Sequence, residues 1–205
     1  MTTEQPAVDD RNTFRQRLLR ALEESIAEDG YQKTTVADIV RRARTSRRTF
    51  YEHFDSRDAC FIALLGEAYA DQVRQISAAV DPESPWRVQV RQAVEAWISS
   101  AQARSALMLS SIRDLPALGA TARGLQREVI DNFVTMVQAL GDTGEFHSAG
   151  IGPVSRLRAV MLLGGLRELT AVTAETGGAL SDITDEAVAA SIALLRPEGA
   201  VTVQG

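Results

Sequence analysis

Residues 41–54 read RRARTSRRTFYEHF: five arginines fall within eight positions, and an aromatic pair follows at once. The chain that carries this stretch is acidic, with a formal charge of -5 over 205 residues. At 3.6 residues per turn, Phe50 and Phe54 lie four apart and share one face of a helix. Arg48 and Glu52 then point the opposite way, Thr49 and Tyr51 flank them, and Arg47 and His53 sit on the shoulders. The spacing predicts a short helix over 47–53, anchored by two phenylalanines and presenting arginine, threonine and tyrosine outward. That chemistry suits the major groove of a duplex. Arginine bonds two guanine acceptors, threonine touches the thymine methyl, and tyrosine reaches phosphate or base.

Just upstream, Thr35-Val36-Ala37-Asp38 has capping-box spacing and opens a second short helix with Val36, Ile39, Val40 and Ala43 inward. Ser46 is placed to cap the helix that follows. Two short helices joined by a tight turn, the second one basic, form a helix-turn-helix pattern. Thr35 and Ser46 either cap alone or also leave free N–H groups for a phosphate. Lys33, Thr34 and Arg57 lie near the helix starts as candidate phosphate contacts, which fix register without reading sequence.

Charge is distributed unevenly around this segment. Residues 33–48 hold six basic side chains against one acid, whereas residues 61–205 hold 11 basic and 16 acidic. An acidic body with one basic block points to a local polyanion site. Clustering carries this inference more than arginine itself, since Lys33 is the chain's only lysine.

The rest reads as a string of helices, and the fold class is all-α. A capping box at Thr13–Gln16 with an apolar stripe at Phe14, Leu18, Leu22 and Ile26 predicts a first helix over 12–29, stopped at Gly30. A helix over 57–79 ends at Asp81-Pro82-Glu83-Ser84-Pro85. Further helices are predicted over 86–103, 104–113, 117–140, 154–176 and 183–196, separated by Leu115-Pro116, by a loop over 141–153 and by Gly177-Gly178. No segment alternates like a strand. The expected division is a disordered tail over 1–11, a helix-turn-helix domain over 12–56 for binding DNA, and a helical domain over 57–205 for effector binding and dimerisation.

No apolar run is long enough to span a bilayer. The polar start, MTTEQPAVDD, is no signal peptide, so a cytoplasmic location is expected. One cysteine, Cys60, excludes an internal disulfide and reads as a helix residue packed near Phe61 and Leu64. With only two histidines, His53 and His147, there is no metal-ligand cluster, no phosphate loop and no nucleophile elbow. No enzyme activity, cofactor or metal is expected.

In the distal part, the apolar positions between Val154 and Val172 exceed one stripe and call for a second partner. Gly164-Gly165 in their midst suggests a close helix approach. With the last helix they suggest a two-fold four-helix interface built on Leu162, Gly165, Leu166, Leu169, Val188, Ile192 and Leu195, the alternative being a purely intramolecular core. Trp97, Leu107, Met108, Phe133, Met136 and Val137 are large, soft candidates for lining a site for a largely apolar small molecule, or else ordinary core.

The run YQKTTVADIVRRARTSRRTFYEHFDSRDACFIALL resembles the DNA-binding domain of the tetracycline-repressor (TetR) family of bacterial regulators. The residues that carry the likeness are Gly30-Tyr31, Thr34-Thr35-Val36, Ile39-Val40, Ser46, Thr49-Phe50-Tyr51, His53-Phe54 and Ser56-Arg57-Asp58. The resemblance implies contacts to double-stranded, palindromic DNA from Thr35, Ser46, Arg47, Arg48, Thr49, Tyr51, His53 and Arg57. It also implies a homodimer on the last two helices, a ligand cavity, and a repressor released by its ligand. The alternative is a DNA-binding structural or protein-partner-controlled regulator on the same scaffold, with no small-molecule effector. Arg44 stands where the family commonly has a turn glycine, and Arg48 where a small residue is frequent; both add charge where DNA would lie.

Overall fold

In a computed structural model the described residues run from Ala7 to Arg196, with side chains described from Thr13 onward. The chain is all-α, and no strand occurs among the described residues. Ten α-helices follow one another among the described residues: α1 (Ala7–Asp29), α2 (Val36–Arg42), α3 (Arg47–His53), α4 (Arg57–Ala79), α5 (Trp86–Ala103), α6 (Ser105–Arg113), α7 (Gly119–Leu140), α8 (Gly144–Ser148), α9 (Arg156–Glu175) and α10 (Thr184–Leu195). Single 3-10 turns precede α2, α7 and α10. None of the described helices is long and apolar enough to cross a membrane.

Two expectations need correction. The first helix starts at Ala7, not at residue 12, so Thr13 lies inside it and not at its start; no glycine or proline interrupts residues 7–13. The expected tail over 1–11 otherwise lies outside the described residues, as do residues 197–205. The stretch 141–153, expected as a loop, contains α8. Its glycines mask a single turn held by the buried Phe146.

The chain divides into two compact units. The first comprises residues 1–68 and 106–125. Its core is the inner stripe of α1 (Leu18, Leu22, Ile26) with Ile39, Phe50, Phe61 and Leu65, all at most 2% exposed. Tyr31 stacks on Phe61 with ring centroids 4.0 Å apart. Its hydroxyl donates to the Asp58 carboxylate, and burial together with that bond holds the phenol well above its ordinary pKa. The second unit comprises residues 69–105 and 126–205. Its core gathers α5, the C-terminal part of α7, α8, α9 and α10 around Trp97, Phe133 and Phe146.

Candidate DNA-binding surface and apolar cavity

Local chemistry sets the starts of α2 and α3. Thr35 caps α2 in a complete capping box: its hydroxyl accepts from the Asp38 N–H at 3.3 Å, and the Asp38 carboxylate accepts from the Thr35 N–H at 3.0 Å. The Thr35 hydroxyl also donates to that carboxylate at 2.6 Å; this bond first, then the Thr35 N–H, with Arg41 beside them, holds the Asp38 carboxyl below its ordinary value. Ser46 caps α3 by accepting from the Thr49 N–H at 3.1 Å. Between the helices, Arg44 adopts φ 50°, the only non-glycine residue with positive φ among those described. A side chain in that region costs about 1 kcal/mol or more relative to glycine.

Two arginines brace this unit from behind. Arg42 bonds Glu28 with both nitrogens, 2.8 Å for one of them, tying α2 to α1. Arg17 donates to the carbonyl oxygens of Ala43 and Arg44, groups left open at the end of α2. Such partners leave the outward residues free for other work.

α3 presents the faces its spacing predicts. Phe50 is 0% exposed and Phe54 6%, while Tyr51 is 56% exposed. The Arg48 side chain is 89% exposed and donates to Glu52 at 3.1 Å. Lys33, Thr35, Arg44, Ser46 and Arg47 are also exposed, and Thr49 and His53 partly so. Among the described residues no ion pair engages Lys33, Arg44 or Arg47. Their exposed charges therefore stand uncompensated among the described residues.

Two residues of the expected set are placed otherwise. Thr34 is 2% exposed, and its hydroxyl donates to the Gly30 carbonyl at 2.9 Å. The Arg57 guanidinium lies 4.3 Å from the centre of the Tyr31 ring and donates to the Thr34 carbonyl at 2.9 Å. Both side chains hold the approach to α2 in place. Beneath them Cys60 is fully buried, and burial pushes its thiol up to about 12.

The second unit contains a cavity with about 600 Å3 of empty space, its open mouth included. Ile76 and Val80 of α4, Val90, Ala93, Val94 and Trp97 of α5, and Met136, Val137 and Leu140 of α7 form part of its wall. Leu162, Leu163 and Leu166 of α9 close it with Phe146 of α8 and Leu195 of α10. Of the expected ligand residues, Trp97, Met136 and Val137 face this space. Phe133 packs edge-on against Trp97 at 5.3 Å but is not part of the wall, and Leu107 and Met108 belong to the first unit. Phe146 was not foreseen. Its only signal in the sequence is a lone aromatic between glycines.

α9 has a second apolar face. Leu157 is 77% exposed, Met161 62%, Val172 45% and Val160 38%. Gly164 and Gly165 are exposed too, and a Cβ built on either meets nothing within 4 Å. The close approach expected of these glycines is not made among the described residues. Of the expected interface residues, Gly165 lies on this open face. Leu162 and Leu166 line the cavity, Leu169 and Ile192 are partly buried in the core, and Val188 and Leu195 are fully buried in it.

Comparison with known proteins bears on the first unit most directly. Residues 18–64 match the family described as bacterial regulatory proteins, tetR family. The HTH-type transcriptional repressor DhaR of Mycobacterium sp. strain GP1 is 32% identical over 74 residues, 36% of this chain and 37% of that protein. The HTH-type regulator YvdT of Bacillus subtilis is 34% identical over 61 residues, 30% of this chain and 31% of that protein. The matches thus span about a third of the length of these curated relatives. Over the whole chain the fold is similar to FadR from Bacillus halodurans, at 18% identity and TM-score 0.74, covering 98% of this chain and 99% of that one. It is similar also to FadR from Bacillus subtilis in complex with stearoyl-CoA, at 17% identity and TM-score 0.73, covering 88% and 97%.

Proposed function

We propose that this chain, whose residues 18–64 match the tetR family of bacterial regulatory proteins, is a sequence-specific DNA-binding transcriptional regulator, a repressor released from its operator by a small molecule. One observation carries the reading: α3 is a capped, seven-residue rod with Phe50 buried and Arg48 and Tyr51 outward. Arg47, Arg48, Thr49, Tyr51 and His53 reach base edges or adjacent backbone. Lys33, Thr35, Arg44 and Ser46 hold phosphates and fix register. Arg57 acts behind them by positioning.

The second unit supplies control. A largely apolar effector enters the cavity, and it binds better to a conformation whose two heads are wrongly spaced for the half-sites. Self-association supplies the second head. The open apolar face of α9, with its two uncovered glycines, supports a two-fold contact between copies through α9 and α10. The second reading, a regulator controlled by a protein partner, is less favoured because the second unit holds a defined cavity. A protein of this fold, FadR from Bacillus subtilis, was solved with stearoyl-CoA, which supports control by a small molecule.

Fluorescence anisotropy with DNA from the chain's own promoter region tests this. Affinity should fall steeply with rising salt, because each phosphate contact releases counterions. A binding signal that ignores salt, or one equal for promoter and scrambled DNA, would overturn the assignment.

A further inference from the structure

The free polar atoms on a cavity wall set the polar groups that its occupant can carry, because a buried polar group without a partner is unfavourable. This wall offers none. No Asp, Glu, Lys, Arg or His lines it, and its two polar side chains, Gln89 and Ser191, are already engaged. The Gln89 amide donates to the carbonyls of Pro82 and Ser84 at 3.0 and 2.7 Å, and its oxygen accepts from the Thr143 hydroxyl at 3.4 Å. Ser191 donates back to the Ala187 carbonyl of its own helix at 2.6 Å. The Trp97 indole N–H turns to Thr170, whose hydroxyl lies 3.3 Å away and donates onward to Leu166. Among the described residues no buried side-chain nitrogen or oxygen lacks a partner.

We propose that the cavity takes an uncharged, hydrocarbon-like molecule that forms no hydrogen bond with its wall and is selected by shape alone. The inference rests on the reading of this cavity as the effector site and narrows it. A carboxylate, phosphate or ammonium group would leave water here and meet only carbon. Shape is set where the wall changes bulk. Ala93 is the smallest side chain on the α5 face, so its enlargement takes up room directly. At the end of α7 the wall is already tight, because a Cβ on Gly141 would lie 2.6 Å from Cγ2 of Val154.

The same hydrocarbon could arrive as a neutral molecule or as the tail of an amphiphile whose head stays in solvent. The two are separable with the full chain and no DNA. Trp97 lies in the wall and the chain has 2 tryptophans, so Trp86→Phe leaves Trp97 as the sole emitter. Three probes of equal chain length, each bromine-tipped, are titrated: a decanoic acid methyl ester, the matching carboxylate and a matching trimethylammonium. The ester should quench Trp97 at a concentration at least about tenfold below that needed for either ion. Ala93→Leu should raise the ester's midpoint by about tenfold. Equal midpoints for ester and ions would overturn the proposal in favour of an amphiphile tail, and no quenching by any probe would overturn it outright. Should Trp86→Phe fail to fold, the rise in Tm of the unaltered chain with each probe gives the same ranking. DNA affinity measured on the same samples separates the two readings. Quenching by the ester with unchanged DNA binding supports the cavity assignment while removing release as its consequence.

Discussion

Arg17 reaches across from α1 and donates to the carbonyl oxygen of Arg44, 3.2 Å away, at the residue whose φ is 50°. One arginine thus steadies the turn that another occupies in a conformation best suited to glycine. Arg44→Gly should therefore stabilise the fold by about 1 kcal/mol. It should also weaken DNA binding and reduce the salt slope by about one counterion. Urea unfolding and anisotropy on the same variant give the two signs. A loss of stability would show that the guanidinium, and not the turn, is what the position retains.

The two faces of α3 should separate cleanly. Phe50→Ala opens the core and should cost about 3–5 kcal/mol, taking DNA binding with it. Tyr51→Ala, at a site 56% exposed, should change stability by no more than about 0.5 kcal/mol yet weaken binding. Thermal unfolding of both variants checks this, and a Tyr51→Ala chain that melts as early as Phe50→Ala would contradict the outward face.

Arg57 should behave as a brace. Its guanidinium covers Tyr31 and bonds the Thr34 carbonyl, so Arg57→Ala should destabilise the first unit by about 1–2 kcal/mol. The salt slope of DNA binding should stay unchanged, since no phosphate contact is lost. A slope reduced by about one, with stability intact, would return Arg57 to the set of phosphate contacts.

Acid should loosen the start of α2. The folded-state pKa of Asp38 is lowered from 3.8, its Thr35 hydrogen bond being the largest cause. The stabilisation is therefore present above that ordinary value and is lost as pH falls through the folded one. Asp38→Asn should flatten this part of the acid limb of stability against pH, and Thr35→Ala should cost about 1 kcal/mol at neutral pH. Urea midpoints collected from neutral pH down to about pH 2.5 give the comparison. An unchanged acid limb in Asp38→Asn would assign the loss to other carboxylates.

The open face of α9 should be what holds two copies together. Met161→Arg, at a side chain 62% exposed, should leave the monomer fold intact and shift sedimentation toward single chains. DNA half-site cooperativity should fall with it. Unchanged association would move the interface elsewhere.

Much of this was readable from residue order, where the governing forces are local. The caps at Thr35 and Ser46 and the opposition of Phe50 to Arg48 need only neighbours within one turn, and all three appear as the spacing implies. What escaped depends on contacts that helical spacing does not predict. Thr34 and Arg57 look like surface polar residues until Gly30 and Tyr31 are folded beside them. Phe146 has no periodic neighbours to announce it, and Gln89 is polar yet 2% exposed because loop carbonyls satisfy it. Leu162 and Leu166 illustrate a different limit. A helix apolar on more than one face declares that it has a second partner, but not which face meets which.

Cys60 carries a practical consequence. The chain's single sulfhydryl is sealed in the core and scarcely ionised at neutral pH, so it leaves a silent background for thiol chemistry. A cysteine introduced on the solvent side of α3 would accept a spin label or dye at one place only. The span between the two labels of an associated pair would then serve as a molecular ruler for operator geometry.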